Sequence, residues 1–228
     1  MVKPETAGGE ALQLLEGLLR QKGAAPAPQL SVKPSKRSRR EMDEAQLEEM
    51  VYRLEAQGEW TEAIQLLEER EDRSTNLDGV LAGRLKRRWF ADPEARAAEG
   101  ERAQALYAQA YERAVEAGDH GQAFYLGIND AFMALALGKN RAKARVRAGR
   151  VLVHTAQAKG DAWALPTEGE AYLYLGETEK AMAAYREAAQ QEWTPRERAS
   201  MTQQAVWVAR LMNNLEAEER LWAVLQSA

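Results

Sequence analysis

The chain has 228 residues, 45% hydrophobic and 29% charged, which is enough apolar material for one or two folded domains. It has no Cys, which excludes disulfides and thiol chemistry, and His120 and His154 are its only histidines, which excludes a His-rich metal site. The formal net charge is −4, so the chain as a whole lacks a nucleic-acid footprint and nucleic acid is not an expected partner.

The charge is unevenly spread. Residues 1–42 hold eight Lys/Arg against four Glu, so the remainder carries the acidic surplus. Ala, Glu, Leu, Arg and Gln dominate, which is helix-forming chemistry, and no alternating strand pattern is present. The expected class is all-α. No apolar run of about 18 residues exists to span a membrane. Glu5, Glu10 and Glu16 break the layout of a secretory leader, so the expected location is cytoplasmic.

Residues 1–41 read as a flexible tail. Within it, Ala11–Gln21 has the spacing of one short amphipathic helix. Leu12, Leu15 and Leu19 share a face, with Leu14 and Leu18 beside them. Lys22–Arg40 follows as a linker, with Pro26, Pro28, Pro34 and the basic cluster Lys36, Arg37, Arg39 and Arg40. A helix on a tether suits docking to a partner protein through Leu12, Leu15, Leu18 and Leu19; a helix that folds back on the solenoid or is simply frayed is the alternative. The basic cluster reads as a solvated run, with a contact to nucleic acid or to an acidic partner as the alternatives.

The folded body is expected over 42–228. Helices are predicted over Asp43–Gln57, Thr61–Arg70, Leu77–Phe90, Ala95–Ala117, Gln122–Leu137 and Arg141–Ala158. A helical pair follows within 162–190, and the last two cover Arg196–Met212 and Leu215–Gln226. Gly58, Gly138 and Gly176 are read as the ends of first helices, and Thr194–Pro195 as a cap followed by Pro at the first helical position. In Leu165–Ala188, Gly169, Ala171, Tyr172 and Gly176 precede Ala181, Tyr185 and Ala188. That is the spacing of a tetratricopeptide repeat: small residues where two helices cross, larger apolar ones where hairpins stack. Aligning Gly58 with Gly176 puts Leu47, Val51, Leu54, Ala63 and Leu67 on the same template. The expected architecture is therefore an α-solenoid of about five stacked hairpins.

In such a stack the first helix of each hairpin lines the concave face. One-turn spacing places Arg84, Arg87 and Arg88 there from the third helix. The fifth supplies Tyr125, Ile128, Asn129 and Phe132, and the seventh Trp163, Thr167, Glu170 and Tyr174. Arg binds phosphate through paired N–H donors, Tyr and Trp stack on flat rings, and Asn, Thr and Glu hydrogen-bond a base or ribose. The set suits a nucleotide, or a phosphorylated or acidic peptide, and packing between hairpins is its structural alternative. Enzymatic constellations are missing: there is no Gly-rich phosphate loop, no Gly-x-Ser-x-Gly elbow and no convincing carboxylate pair. His154 is read as structural. No catalytic residue and no metal ligand is expected.

Five segments together carry a family resemblance: Leu81–Lys86 (LAGRLK), Ala105–Tyr111 (ALYAQAY), Tyr125–Ala131 (YLGINDA), Asp161–Trp163 (DAW) and Glu170–Ala181 (EAYLYLGETEKA). Over Leu77–Gln226 they resemble the tetratricopeptide-like regulatory domain of the apoptosis signal-regulating kinases, also catalogued as a TRAF-binding domain. They are likewise similar to its bacterial sensor-type tetratricopeptide relatives. The resemblance implies a non-catalytic regulatory module that engages partner proteins. For the bacterial relatives it implies sensing beside conflict or immunity effectors, with a nucleotide derived from NAD as the ligand and no tightly held cofactor. Carried over by position, it points to Arg84, Lys86 or Arg87, Tyr125, Asn129, Trp163 and Thr167 as ligand contacts. The chain itself shows neither a kinase domain nor an obvious effector domain. The resulting expectation is a sensor and adaptor whose groove binds a phosphate-bearing nucleotide and relays to an effector protein. A protein-binding scaffold without a small ligand is the alternative.

Overall fold

The computed structural model describes residues 42–158 and 160–226. The expected docking helix at 11–21 and the basic linker lie outside them. Ten α-helices and no strand occur among the described residues. They are α1 (Glu44–Ala56), α2 (Trp60–Glu68), α3 (Thr75–Ala91), α4 (Ala97–Glu116) and α5 (His120–Ala136), then α6 (Arg141–Gln157), α7 (Ala164–Leu175), α8 (Thr178–Ala189), α9 (Pro195–Leu211) and α10 (Leu215–Gln226). The all-helical expectation is met, and the predicted ends fall within about two residues of the observed ones, the ordinary fraying distance of helix termini. Two compact units divide at Leu106/Tyr107, inside α4.

Helix starts follow from local chemistry. Asp43 caps α1 through the Gln46 amide, and the Gln46 side chain returns to the Asp43 N–H. Ser74 caps α3, Asp119 α5 and Asn140 α6. Thr194 and Glu197 form a reciprocal box at α9 with Pro195 in its first turn. Gly58 and Gly176 turn the chain with φ near +80°, which costs glycine little. The third hairpin departs from expectation: Lys139 (φ 49°), not Gly138, takes the left-handed conformation.

In the first unit, α1 and α2 form a hairpin and α3 packs against α2. Leu47, Val51, Ala63, Leu67, Leu77, Leu81 and Leu85 are buried, while Leu54 is only partly covered. Trp89 is buried too, against Gly100, where a Cβ would come within 2.7 Å of its ring.

The second unit stacks three hairpins, α5/α6, α7/α8 and α9/α10. Helices α5, α7 and α9 pack on one another as an inner row. The close crossings use glycine as the spacing implied. A Cβ on Gly169 would lie 2.7 Å from the Tyr185 ring, and one on Gly127 2.8 Å from Val151 and 2.9 Å from Tyr111. Ala123, Leu126, Ala131, Met133, Ala171, Leu173, Ala181 and Ala205 fill the space between. No helix among the described residues is long and apolar enough to cross a membrane.

Candidate functional site

The expected cations sit on α3, where Asp78, Val80, Leu81, Ala82, Gly83 and Leu85 are buried. Arg84 is itself buried. Its Nε lies 2.8 Å from Glu55 Oε1, its Nη2 donates to Glu55 Oε2 at 3.1 Å, and its Nη1 donates to the Val80 carbonyl. The guanidinium also lies 5.0 Å from the Tyr52 ring. An anion reaching Arg84 must displace Glu55. Arg87 is about half-exposed, 3.4 Å from the same carboxylate and 6.0 Å from the Trp60 ring. Arg88 pairs with Glu99 at 3.0 Å. Lys86 is partly exposed.

The other candidates lie in the second unit. Tyr125 on α5 is 36% exposed and meets Tyr107 edge-on at 6.5 Å. Asn129, one turn on, is buried and donates from Nδ2 to the Tyr125 carbonyl at 2.9 Å. Thr167 and Glu170 on α7 are buried. Glu170 Oε1 accepts from Tyr174 Oη at 3.0 Å and from Gln204 Nε2 of α9 at 3.1 Å. Burial, then the Glu170 charge, pushes the Tyr174 hydroxyl well above its ordinary range, so Tyr174 remains a donor. Trp163 stands at the N-cap position of α7 without a side-chain capping bond and lies obliquely against Trp193, ring centres 4.8 Å apart.

Three side chains expected at the groove lie in the core instead. Ile128, Phe132 and Tyr174 are buried. Phe132 rests on Trp207 at 6.2 Å, and Tyr174 is held by Glu170. An apolar side chain on the inner row gains more from the neighbouring hairpin than from water.

The spacing also missed Gln204, the α9 residue that fixes the Glu170 carboxylate, and the buried ion pair between Arg147 and Asp130 (2.8 Å). Arg147 lies 3.8 Å from the Tyr111 ring and donates to Glu112 as well. Beside it, Tyr111 Oη meets His154 Nε2 at 3.2 Å, and His154 Nδ1 meets His120 Nδ1 at 3.0 Å. This accounts for both histidines by hydrogen bonding, as read for His154. Among the described residues no group of three or more His, Asp or Glu is placed to hold a metal.

A crystal structure titled "BtubC (BKLC) from P. vanneervenii" is 14% identical, with 100% of this chain and 91% of that chain covered at a TM-score of 0.43. That likeness is too distant to carry an argument. No curated protein matches the chain. The family described as "Tetratricopeptide Repeats-Sensor" matches residues 9–134. The match starts well before the Leu77 at which the sequence resemblance begins. It ends within α5, so it takes in Arg84, Lys86, Arg87, Arg88, Tyr125 and Asn129 but not Trp163, Thr167 or Glu170. The match covers more than half of the chain, and the chain belongs to the sensor-type tetratricopeptide family.

Proposed function

We propose that the chain is a non-catalytic sensor and adaptor that binds a phosphate-bearing nucleotide, of the kind derived from NAD, and reports its presence to an effector protein in bacterial defence signalling. Family membership over residues 9–134 is the observation that carries this reading. The inner row also carries polar side chains: Asn129, Thr167 and Glu170 are buried there, and Asn129 and Glu170 make internal hydrogen bonds that a base or ribose would have to replace.

Each unit holds candidate chemistry of its own. In the second, the Tyr125 and Trp163 rings suit stacking on a base, and Asn129, Thr167 and Glu170 suit hydrogen bonds to a base or ribose. In the first, the half-exposed Arg87 and the Glu99-paired Arg88 suit an anion better than Arg84, which Glu55 encloses. A ligand can shift such a protein only by preferring one of its conformations.

The test is titration calorimetry with NAD, ADP-ribose, cyclic ADP-ribose isomers and ATP, on the wild type and on Arg87→Ala, Asn129→Ala and Glu170→Gln. One panel member is expected to bind, with affinity lowered at least tenfold by a substitution that leaves the melting temperature in place. Absence of binding across the panel, together with stable capture of an effector by the unliganded protein, would replace this reading with that of a protein-binding scaffold.

A further inference from the structure

One helix face in the second unit is unaccounted for by packing. The core side of α6 is Ala144, Arg147, Ala148, Val151, His154 and Thr155. Directly opposite run Ala142, Val146, Gly149, Val153 and Ala156, spaced four, three, four and three residues apart. That is the seam of a coiled coil over two heptads, with β-branched Val at the a positions. Val146 is 62% exposed and Val153 61%, against 36–41% for Tyr52, Trp60, Val115, Tyr125 and Trp222; of the large apolar side chains among the described residues only Leu215, at the first position of α10, is more exposed, at 70%.

Gly149 sits at the centre of this seam. Glycine inside a helix is unfavourable, and at Gly127 and Gly169 it is explained by a ring or methyl group pressed against it. Around Gly149 nothing lies within 4 Å of where a Cβ would be. The space it leaves opens outward, where it lets another backbone approach closely.

The flanks decide what approaches. The e and g positions beside the seam include Lys143, Arg145 and Arg150, and α6 contains no Asp or Glu. Of the nearby anions, Asp130 and Glu112 are engaged by Arg147 on the core side, and Asp130 also lies 3.6 Å from the Lys143 ammonium. Arg145 reaches the Leu175 carbonyl, and Arg150 makes no ion pair among the described residues. Two copies of α6 would bring like charges together in either orientation, whereas a helix with carboxylates at e and g would meet cations.

We propose that the outer face of α6 is a docking surface for an acidic amphipathic helix of a partner protein. The partner lays an apolar heptad seam along Val146, Gly149 and Val153 and sets Glu side chains against Arg145 and Arg150. This surface is separate from the residues proposed for the nucleotide and does not depend on them.

Fluorescence anisotropy on the full chain tests it with two labelled three-heptad peptides. Both carry Leu at a and Ala at d; one has Glu at e and g, the other Lys. The Glu peptide is expected to bind at least tenfold more tightly than the Lys peptide, less tightly as salt is raised, and at least tenfold more weakly to Val146→Asp/Val153→Asp. Arg145→Glu/Arg150→Glu, which leaves the apolar seam intact, is expected to reverse the preference. Equal binding of the two peptides, no binding of either, or unchanged affinity in both double variants would overturn the proposal. So would concentration-dependent dimerisation abolished by Val146→Asp, which would give the face to a second copy.

Discussion

At the scale of the residue, this chain separates glycines that the packing demands from one that it does not. Gly127 and Gly169 face atoms under 3 Å from a would-be Cβ. Replacing either with Ala is expected to destabilise the protein by about 1–3 kcal/mol, the usual cost of overpacking, read from urea midpoints. Gly149→Ala should instead stabilise it by about 0.5–1 kcal/mol, because helix propensity improves and nothing is displaced. Destabilisation by Gly149→Ala would mean that the open space is not there. The buried Arg84–Glu55 pair makes a second contrast. Glu55→Ala leaves the guanidinium uncompensated, and a loss of about 3–5 kcal/mol is expected in the same assay. For that reason Arg84 is a poor probe of ligand binding and Arg87 a better one.

His154 gives the residue scale a pH signature. Burial first, then the neighbouring His120 and Arg147 charges, hold its folded-state pKa below the ordinary 6.5. The folded protein therefore binds fewer protons than the unfolded chain in the window just below pH 6.5, so stability falls as pH drops through that window. Tyr111, His120 and Arg147 face the ring, and none of them supplies a negative charge that would restore the proton. Melting temperature should decline from pH 7.5 to pH 6, and His154→Gln should flatten the decline. An unaltered pH profile in that variant would assign the effect elsewhere.

Elements were the most legible level of this sequence. Helix existence, turn positions and caps follow from residues whose effects are local: Asp43, Ser74, Asp119, Asn140 and Thr194 each bond an amide within three residues. Thr194→Ala is expected to cost about 1 kcal/mol, measurable by thermal melts, since it removes one half of a reciprocal box. What spacing could not reveal was which way a side chain settles once hairpins stack. Phe132 and Tyr174 occupy groove positions by register yet turn into the core, because the neighbouring hairpin offers each more contact than water does. Nor could it reveal the pairing of Arg84 with Glu55, 29 residues away, or the bond from Gln204 to Glu170, 34 residues away. The exposed seam on α6 becomes visible only with the core face fixed, because burial and not spacing separates Val146 and Val153 from the buried Val151.

For the whole molecule, the sensor-type assignment rests on the chain up to Ala134, and the second unit extends the same hairpin design beyond it. The ligand reading and the α6 docking reading concern different surfaces, so either can fail without the other. The most direct test of the sensor reading is the melting temperature of the purified protein with NAD, ADP-ribose, cyclic ADP-ribose isomers or ATP. A ligand at 100 times its Kd adds about 2.7 kcal/mol, a rise of several degrees in a protein of this size. The account predicts such a rise for one phosphate-bearing nucleotide, reduced in Arg87→Ala or Glu170→Gln. A melting temperature unmoved by every member of the panel would contradict it.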